Sequence, residues 1–282
     1  MELPFKIDLN NKVVVITGAG GVICSHLAKA IAESGAKVAL LNLHKEKADK
    51  VKEEIVKNGF IAESYACNVT DKADLERVHQ EVLKDLGPCD ILVNGAGGNN
   101  AKANTDVEFA EVDNIDTETK TFFDLDESGI DFVFNLNFLG TLLPSQVFAR
   151  DMVGRSGCSI LNISSMAALL PLTKTVAYSA AKASIDNFTK WLSTHFAHLG
   201  IRVNAIAPGF FRTAQNETLL FNADGTPTER CKKIINATPM SELGKVEDLV
   251  GATLFLISDK AARFVTGVTL AIDGGFSSYS GV

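Results

Sequence analysis

The chain has 282 residues, 46% hydrophobic and 22% charged, with a formal net charge of −7. The apolar share supports a large core and excludes a disordered chain. An acidic chain without a Lys/Arg cluster is a poor partner for nucleic acid, and no run approaches the ~20 apolar residues that span a bilayer.

The first informative element is Val13-Val14-Val15-Ile16-Thr17-Gly18-Ala19-Gly20-Gly21. Four β-branched apolar residues predict a buried strand, and the glycines predict a tight turn. Val22 to Ser34 reads as a helix with Ile23, Leu27, Ala30 and Ile31 on one face and Gly35 as its stop. Strand, glycine turn and helix make a phosphate cradle, because the helix N-terminus offers free N–H groups and a positive dipole end. Further strands are expected near 37–42, 61–66, 90–94, 158–163, 201–206 and 267–272, with the first near 12–17. Strands alternating with amphipathic helices predict one doubly wound, Rossmann-like α/β domain, with a parallel sheet of about seven strands and helices on both faces. In such a sheet ligands bind at the carboxyl ends of the strands. Gly18, Asn42, Asn68, Asn94, Ser165 and Pro208 fall at those ends.

Two segments break the rhythm. Residues 98–123 form a long acidic insertion, and residues 210–238 follow Pro208-Gly209 with a turn signal at Asp224-Gly225-Thr226-Pro227. The cysteines Cys24, Cys67, Cys89, Cys158 and Cys231 are odd in number and lack C-x-x-C spacing. Reduced thiols and a cytoplasmic location are expected. Met1 to Asn10 carries Glu2, Lys6 and Asp8 among its apolar residues and has no apolar core of signal-peptide length. His195 and His198 lack an evident third ligand, so no metal site is expected.

The chemistry is carried by Tyr178-Ser179-Ala180-Ala181-Lys182. Positions i and i+4 share a helix face. An ammonium beside a phenol favours the phenolate and lowers its pKa from ~10, which would make Tyr178 a usable acid/base. Ser165, thirteen residues upstream, can polarise the same substrate oxygen. Its neighbour Ser164 should point the opposite way.

The order and spacing of these motifs resemble the short-chain dehydrogenase/reductase family almost end to end. The matching segments are Thr17-Gly18, Asn94-Gly95-Ala96-Gly97, Asn137-Phe138-Leu139-Gly140, Asn162-Ile163-Ser164-Ser165, the Tyr178/Lys182 pair, Pro208-Gly209 with Thr213, and Asp273-Gly274-Gly275. One departure stands out. The family pattern T-G-x-x-x-G-x-G would place glycines at 22 and 24, where this chain has Val22 and Cys24. The resemblance implies hydride transfer between a nicotinamide cofactor and a carbonyl carbon. Its catalytic set is Asn137, Ser165, Tyr178 and Lys182, with Asn137 helping to hold Lys182. The implied cofactor site is Thr17, Gly18, Gly20, Gly21, Val22, Ile23, Asn42, Asn68, Val69, Asn94, Ala96, Gly97, Pro208, Gly209 and Thr213, shared with Tyr178 and Lys182. It also implies a lid at 210–238 and a homotetramer. Asn42 ends the second strand where an Asp would hold both ribose hydroxyls and repel a 2′-phosphate. With no Arg directly after it, NAD(H) is expected, and NADP(H) is the alternative.

Within the family, Asn99-Asn100-Ala101-Lys102, the stretches 120–125 and 142–148, Ala207-Pro208-Gly209-Phe210-Phe211 and the tail 274–282 resemble the D-mannonate oxidoreductases of the short-chain type. That resemblance implies a sugar-acid substrate, D-fructuronate or D-mannonate. Such a polyol carboxylate needs a cation and amide donors, for which Asn99, Asn100, Lys102, Lys174 and Arg212 are the candidates. Reduction of another polar ketone such as 5-keto-gluconate, reduction of a 3-ketoacyl thioester, and a non-catalytic nucleotide sensor are the other readings. The intact Ser165, Tyr178 and Lys182 argue against the sensor.

Overall fold

The structure is a computed structural model that describes residues 6–213 and 216–281. Positions 214 and 215 of the expected lid, and the last residue of the tail, lie outside the described residues. Seven strands form one parallel sheet: β1 Val13–Thr17, β2 Lys37–Asn42, β3 Ala62–Ala66, β4 Ile91–Asn94, β5 Ser159–Ile163, β6 Arg202–Pro208 and β7 Thr269–Ile272. Their order is β3-β2-β1-β4-β5-β6-β7. The helices are α1 Val22–Glu33, α2 Lys45–Lys57, α3 Lys72–Asp85, α4 Glu127–Phe134, α5 Gly140–Phe148, α6 Met166–Leu169, α7 Val176–His195, α8 Glu217–Leu220, α9 Glu229–Ala237 and α10 Asp248–Ile257.

The central strands are apolar on both faces because both faces are covered. Val14 and Ile16 of β1 point into one core with Leu27 and Ile31 of α1 and Leu256 of α10. Val13 and Val15 point into the other with Val78 of α3 and Phe148 of α5. The period of two along β1 thus feeds two cores at once.

Chain order reverses between β1 and β4, which pair in register with Thr17 beside Asn94. Asn94 in turn sits beside Asn162 of β5. Crossovers leave to opposite sides of this point, so a crevice opens beyond these strand ends.

One expectation is corrected here, and one feature was not anticipated. First, Glu127–Met152 is continuous helix, and by length and composition alone it could cross a membrane. Half of its most apolar window is buried inside the fold, and it packs as a core layer beneath β4 and β5. Second, its middle is not α-helical. Asn135–Leu139 forms a π-helical turn between α4 and α5.

The 98–123 stretch carries only short 3₁₀ turns, at Ala101–Ala103, Val112–Asn114 and Phe122–Asp124. It is pinned to the rest of the chain. Thr105 N–H donates to the Lys174 carbonyl at 3.0 Å. Glu108 pairs with Lys233 of α9 at 2.9 Å.

Candidate active site

Four side chains converge at the crevice. Ser165 follows β5 and caps α6, its Oγ accepting the Ala167 N–H at 3.1 Å. Its own proton is left to point elsewhere. Tyr178 lies in the first turn of α7, and Lys182 lies one turn later on the same face. Lys182 Nζ donates to the Ile163 carbonyl at 2.8 Å, which ties α7 to the end of β5. Ser164 does point the other way, donating to Asp186 Oδ1 at 2.5 Å.

Asn137 sits in the π turn and is fully buried. Its Nδ2 donates to the Gly98 carbonyl at 2.7 Å and to the Val133 carbonyl at 2.8 Å, and its Oδ1 accepts the Gly98 N–H at 3.3 Å. In a regular α-helix the Val133 carbonyl would take the backbone N–H of Asn137. Here the side-chain amide takes it, within a π turn, a feature frequent at functional sites. Gly97 measures how close the groups lie. A Cβ atom built on it would stand 2.7 Å from Asn137 Oδ1 and 3.2 Å from Lys182 Nζ. Asn137 therefore neighbours Lys182 but bonds backbone.

The expected effect of Lys182 on Tyr178 needs correction. The ammonium stands 5.8 Å from the centroid of the Tyr178 ring. Burial pushes the phenol above its ordinary value, and only the Ser165 hydroxyl pulls it back. Burial drives Lys182 down to about 8, against the pull of Cys24 and Asp186. Desolvation disfavours the charged form in both cases. The Tyr178 phenol therefore keeps its proton at neutral pH.

The nucleotide end fits a dinucleotide on this chain's own features. Gly18 holds φ +66, where a side chain is strained. Gly21 caps α1 without any side-chain acceptor, so the first-turn N–H groups of Val22 and Ile23 are offered to an anion. Thr17 Oγ1 accepts the N–H groups of Gly95 and Ala96 at 3.0 and 3.2 Å, which sets the bend after β4.

Several expected contacts take other partners. Asn42 Oδ1 accepts the Gly20 N–H at 3.1 Å, so it builds the glycine turn. Asn68 Oδ1 accepts from Thr70 N and Oγ1 at 3.1 and 2.8 Å, closing a local turn. Asn94 Nδ2 donates to Ser145 and Asn162 at 3.0 and 2.9 Å. It ties β4 to β5 and α5, while its buried Oδ1 has no hydrogen-bond partner among the described residues. Val69 is buried against Gly140. Gly209 N–H donates to Ile272 at 2.9 Å, directly after Pro208, and Thr213 N–H to Asn216 Oδ1 at 2.9 Å.

Of the substrate candidates, Lys174 lines a cleft beside α7. Asn99 bonds Asn104, and Asn100 caps the turn at Lys102. Lys102 pairs with Asp126 at 3.5 Å. Arg212 is held by both oxygens of Glu217 and lies 4.1 Å over the Phe221 ring. Sequence reasoning missed Arg230 and Lys233, which line the same cleft as Lys174. Their placement depends on how α9 docks, and no local motif marks it.

A family model described as short chain dehydrogenase matches residues 12–224. The protein belongs to the short-chain dehydrogenase family. Over all of both chains it is 54% identical to a Haemophilus influenzae protein provisionally named a D-mannonate oxidoreductase, whose crystal structure holds NAD, with a TM-score of 0.95. It is 50% identical to an uncharacterized oxidoreductase, UxuB, of Bacillus subtilis, over 99% of this chain and 100% of that protein. A gluconate 5-dehydrogenase from Burkholderia cenocepacia, in complex with NADP and tartrate, superimposes with a TM-score of 0.81 at 28% identity and 98% coverage of both chains. As a short-chain dehydrogenase, the protein is an oxidoreductase acting on CH–OH groups.

Proposed function

We propose that this short-chain dehydrogenase interconverts a sugar-acid ketone and its alcohol, with D-fructuronate and D-mannonate as the pair. The observation that carries the reading is the convergence of Ser165, Tyr178, Lys182 and Asn137 on one crevice at the chain reversal. The full-length likeness to the Haemophilus protein supports the substrate class.

The nicotinamide cofactor, when bound, supplies or accepts the hydride. The chain's residues do the rest. Tyr178, kept protonated by burial, gives its proton to the developing alkoxide during reduction. Ser165 donates to the same oxygen and fixes its place. Lys182 braces the end of β5 and would hold the nicotinamide ribose. Asn137 holds the Gly98 backbone, which positions the Gly97 bend next to Lys182. Thr17, Gly18, Gly21 and the start of α1 would hold the pyrophosphate. Asn42, uncharged, does not repel a 2′-phosphate as a carboxylate would. NAD(H) is favoured by the bound cofactor of the Haemophilus protein.

A second reading is reduction of 5-keto-gluconate. It is favoured by the 32% identity to a Gluconobacter oxydans gluconate 5-dehydrogenase over 98% of this chain. The discriminating experiment mixes purified protein with NADH or NADPH and scans D-fructuronate, tagaturonate, 5-keto-gluconate and an acetoacetyl thioester by cofactor absorbance. Fastest turnover on D-fructuronate supports the proposal. Preference for 5-keto-gluconate replaces it with the second reading.

A further inference from the structure

A cleft of about 470 Å³ opens between the 172–175 loop, α9 and Glu108 of the long 98–123 stretch. Phe210 and Phe276 wall it in edge-on contact, with centroids 5.2 Å apart. It adjoins the catalytic end of α7. Lys174 lies four residues before Tyr178, and Phe210 directly follows Gly209.

Three cations line this cleft, Lys174, Arg230 and Lys233, against two carboxylates, Glu108 and Glu229. Both carboxylates are already engaged. Glu108 accepts from Lys233 at 2.9 Å, and Glu229 accepts from Lys232 at 2.7 Å. Lys174 Nζ donates to the uncharged Asp106 carbonyl at 2.7 Å and forms no close ion pair among the described residues, sharing only the more distant charge of Glu108. Arg230 makes no hydrogen bond or close ion pair among the described residues and feels only the charge of Glu108. The cleft therefore carries a net positive charge, with Glu108 shared among three cations.

Lys174 is also held in an unusual way. Its φ is +70, in the left-handed region that a residue bearing a Cβ enters at a cost. The Thr105 N–H on its carbonyl and the Asp106 carbonyl on its ammonium fix it from both ends. The Glu108–Lys233 pair, 125 residues apart in sequence, joins the two walls.

We infer that Arg230, together with Lys174, binds the carboxylate of the sugar acid and so sets the enzyme's preference for acidic over neutral polyol ketones. The inference rests on the sugar-acid reading of the site. Arg230 presents a planar fork suited to both carboxylate oxygens. Lys174 adds a fixed point charge. The acid end of the substrate is then anchored under α9 while its ketone lies at Tyr178.

The test is kinetic, with a binding readout. Wild type, Arg230→Met, Lys174→Met and Arg230→Lys are assayed with D-fructuronate and with fructose, the uncharged ketose. Mannonate binding to the cofactor-loaded proteins is measured by calorimetry. In Arg230→Met the KM for fructuronate should rise about 10- to 100-fold, the range for a lost hydrogen bond to a charged group. The kcat should change far less, since the contact is equal in ground and transition states. Mannonate affinity should fall in step, and Arg230→Lys should recover part of both. Lys57→Met, which removes a distant surface charge from α2, should leave the fructuronate KM alone. Unchanged cofactor affinity in each variant shows that it has folded. If wild type prefers fructuronate strongly and neither variant alters its KM or mannonate affinity, the clamp is wrong and the sugar-acid reading stands. If wild type turns over fructose as well as fructuronate, the sugar-acid reading fails and takes the clamp with it.

Discussion

Gly95 lies directly against Cys24: a side chain on Gly95 would collide with the Cys24 sulfur. Cys24 occupies a position where the family pattern has glycine, so the room that the family leaves on α1 is left here on the bend after β4. The thiol is buried, and burial pushes it up to about 12, so it acts as a small apolar plug.

This pairing predicts strong coupling. Gly95→Ala should destabilise the protein by roughly 1–3 kcal/mol through overpacking. Adding Cys24→Gly should recover part of that loss, though not all, because the new methyl also meets the Thr17 carbonyl at 3.0 Å. Urea denaturation of the two single variants and the double variant measures the coupling. Simple additivity would refute the direct contact.

Lys182 should leave a mark on the pH dependence of stability. Its folded value is about 8 and its ordinary value is 10.5. Between those limits the unfolded chain binds more protons than the folded one, so the contribution of this group to stability rises with pH across that window. Lys182→Met should abolish the rise. In the reductive direction wild-type turnover should decline as pH passes about 8, where Lys182 loses its charge, while Tyr178 is still protonated. Paired denaturation and rate profiles check both statements. A reductive rate that is flat well above pH 8 would separate Lys182 from catalysis.

We expect a homotetramer, or at least a dimer. Strand β7 is a sheet edge whose Leu270 is 39% exposed, and Phe264 beside it is 93% exposed. An open edge with adjacent apolar groups is a ready partner surface. Light scattering at micromolar concentration should report an assembly, and Leu270→Glu should weaken it. A wild-type monomer would refute this.

The central strands were legible in the sequence because strands buried on both faces read as continuous apolar runs, as at Val13–Ile16, whereas β3 and the edge strand β7 are only partly buried. Tyr178, Lys182 and Ser165 were legible because the helical period and the strand exit fix their directions. The π turn around Asn137 was not, since its apolar pattern matches that of an α-helix. Asn42, Asn68 and Asn100 looked like free ligands in sequence, yet each spends its oxygen on nearby backbone. The apolar length of Glu127–Met152 was masked by Asp131, Asn135 and Asn137. Arg230 and Lys233 were hidden for a different reason. They matter only because α9 approaches a segment more than a hundred residues upstream.

The most direct test of the mechanism is steady-state turnover of Tyr178→Phe on the best ketone substrate, with reduced-cofactor binding followed by fluorescence. The substitution removes one hydroxyl from a ring that otherwise stays packed against α4. Turnover should fall about 10²–10⁴-fold, the usual contribution of a positioned general acid, while cofactor affinity stays within about two-fold of wild type, well under the tenfold that 1.4 kcal/mol would give. Near wild-type turnover in that variant, with the cofactor still bound, would contradict the assignment of Tyr178 as the proton donor.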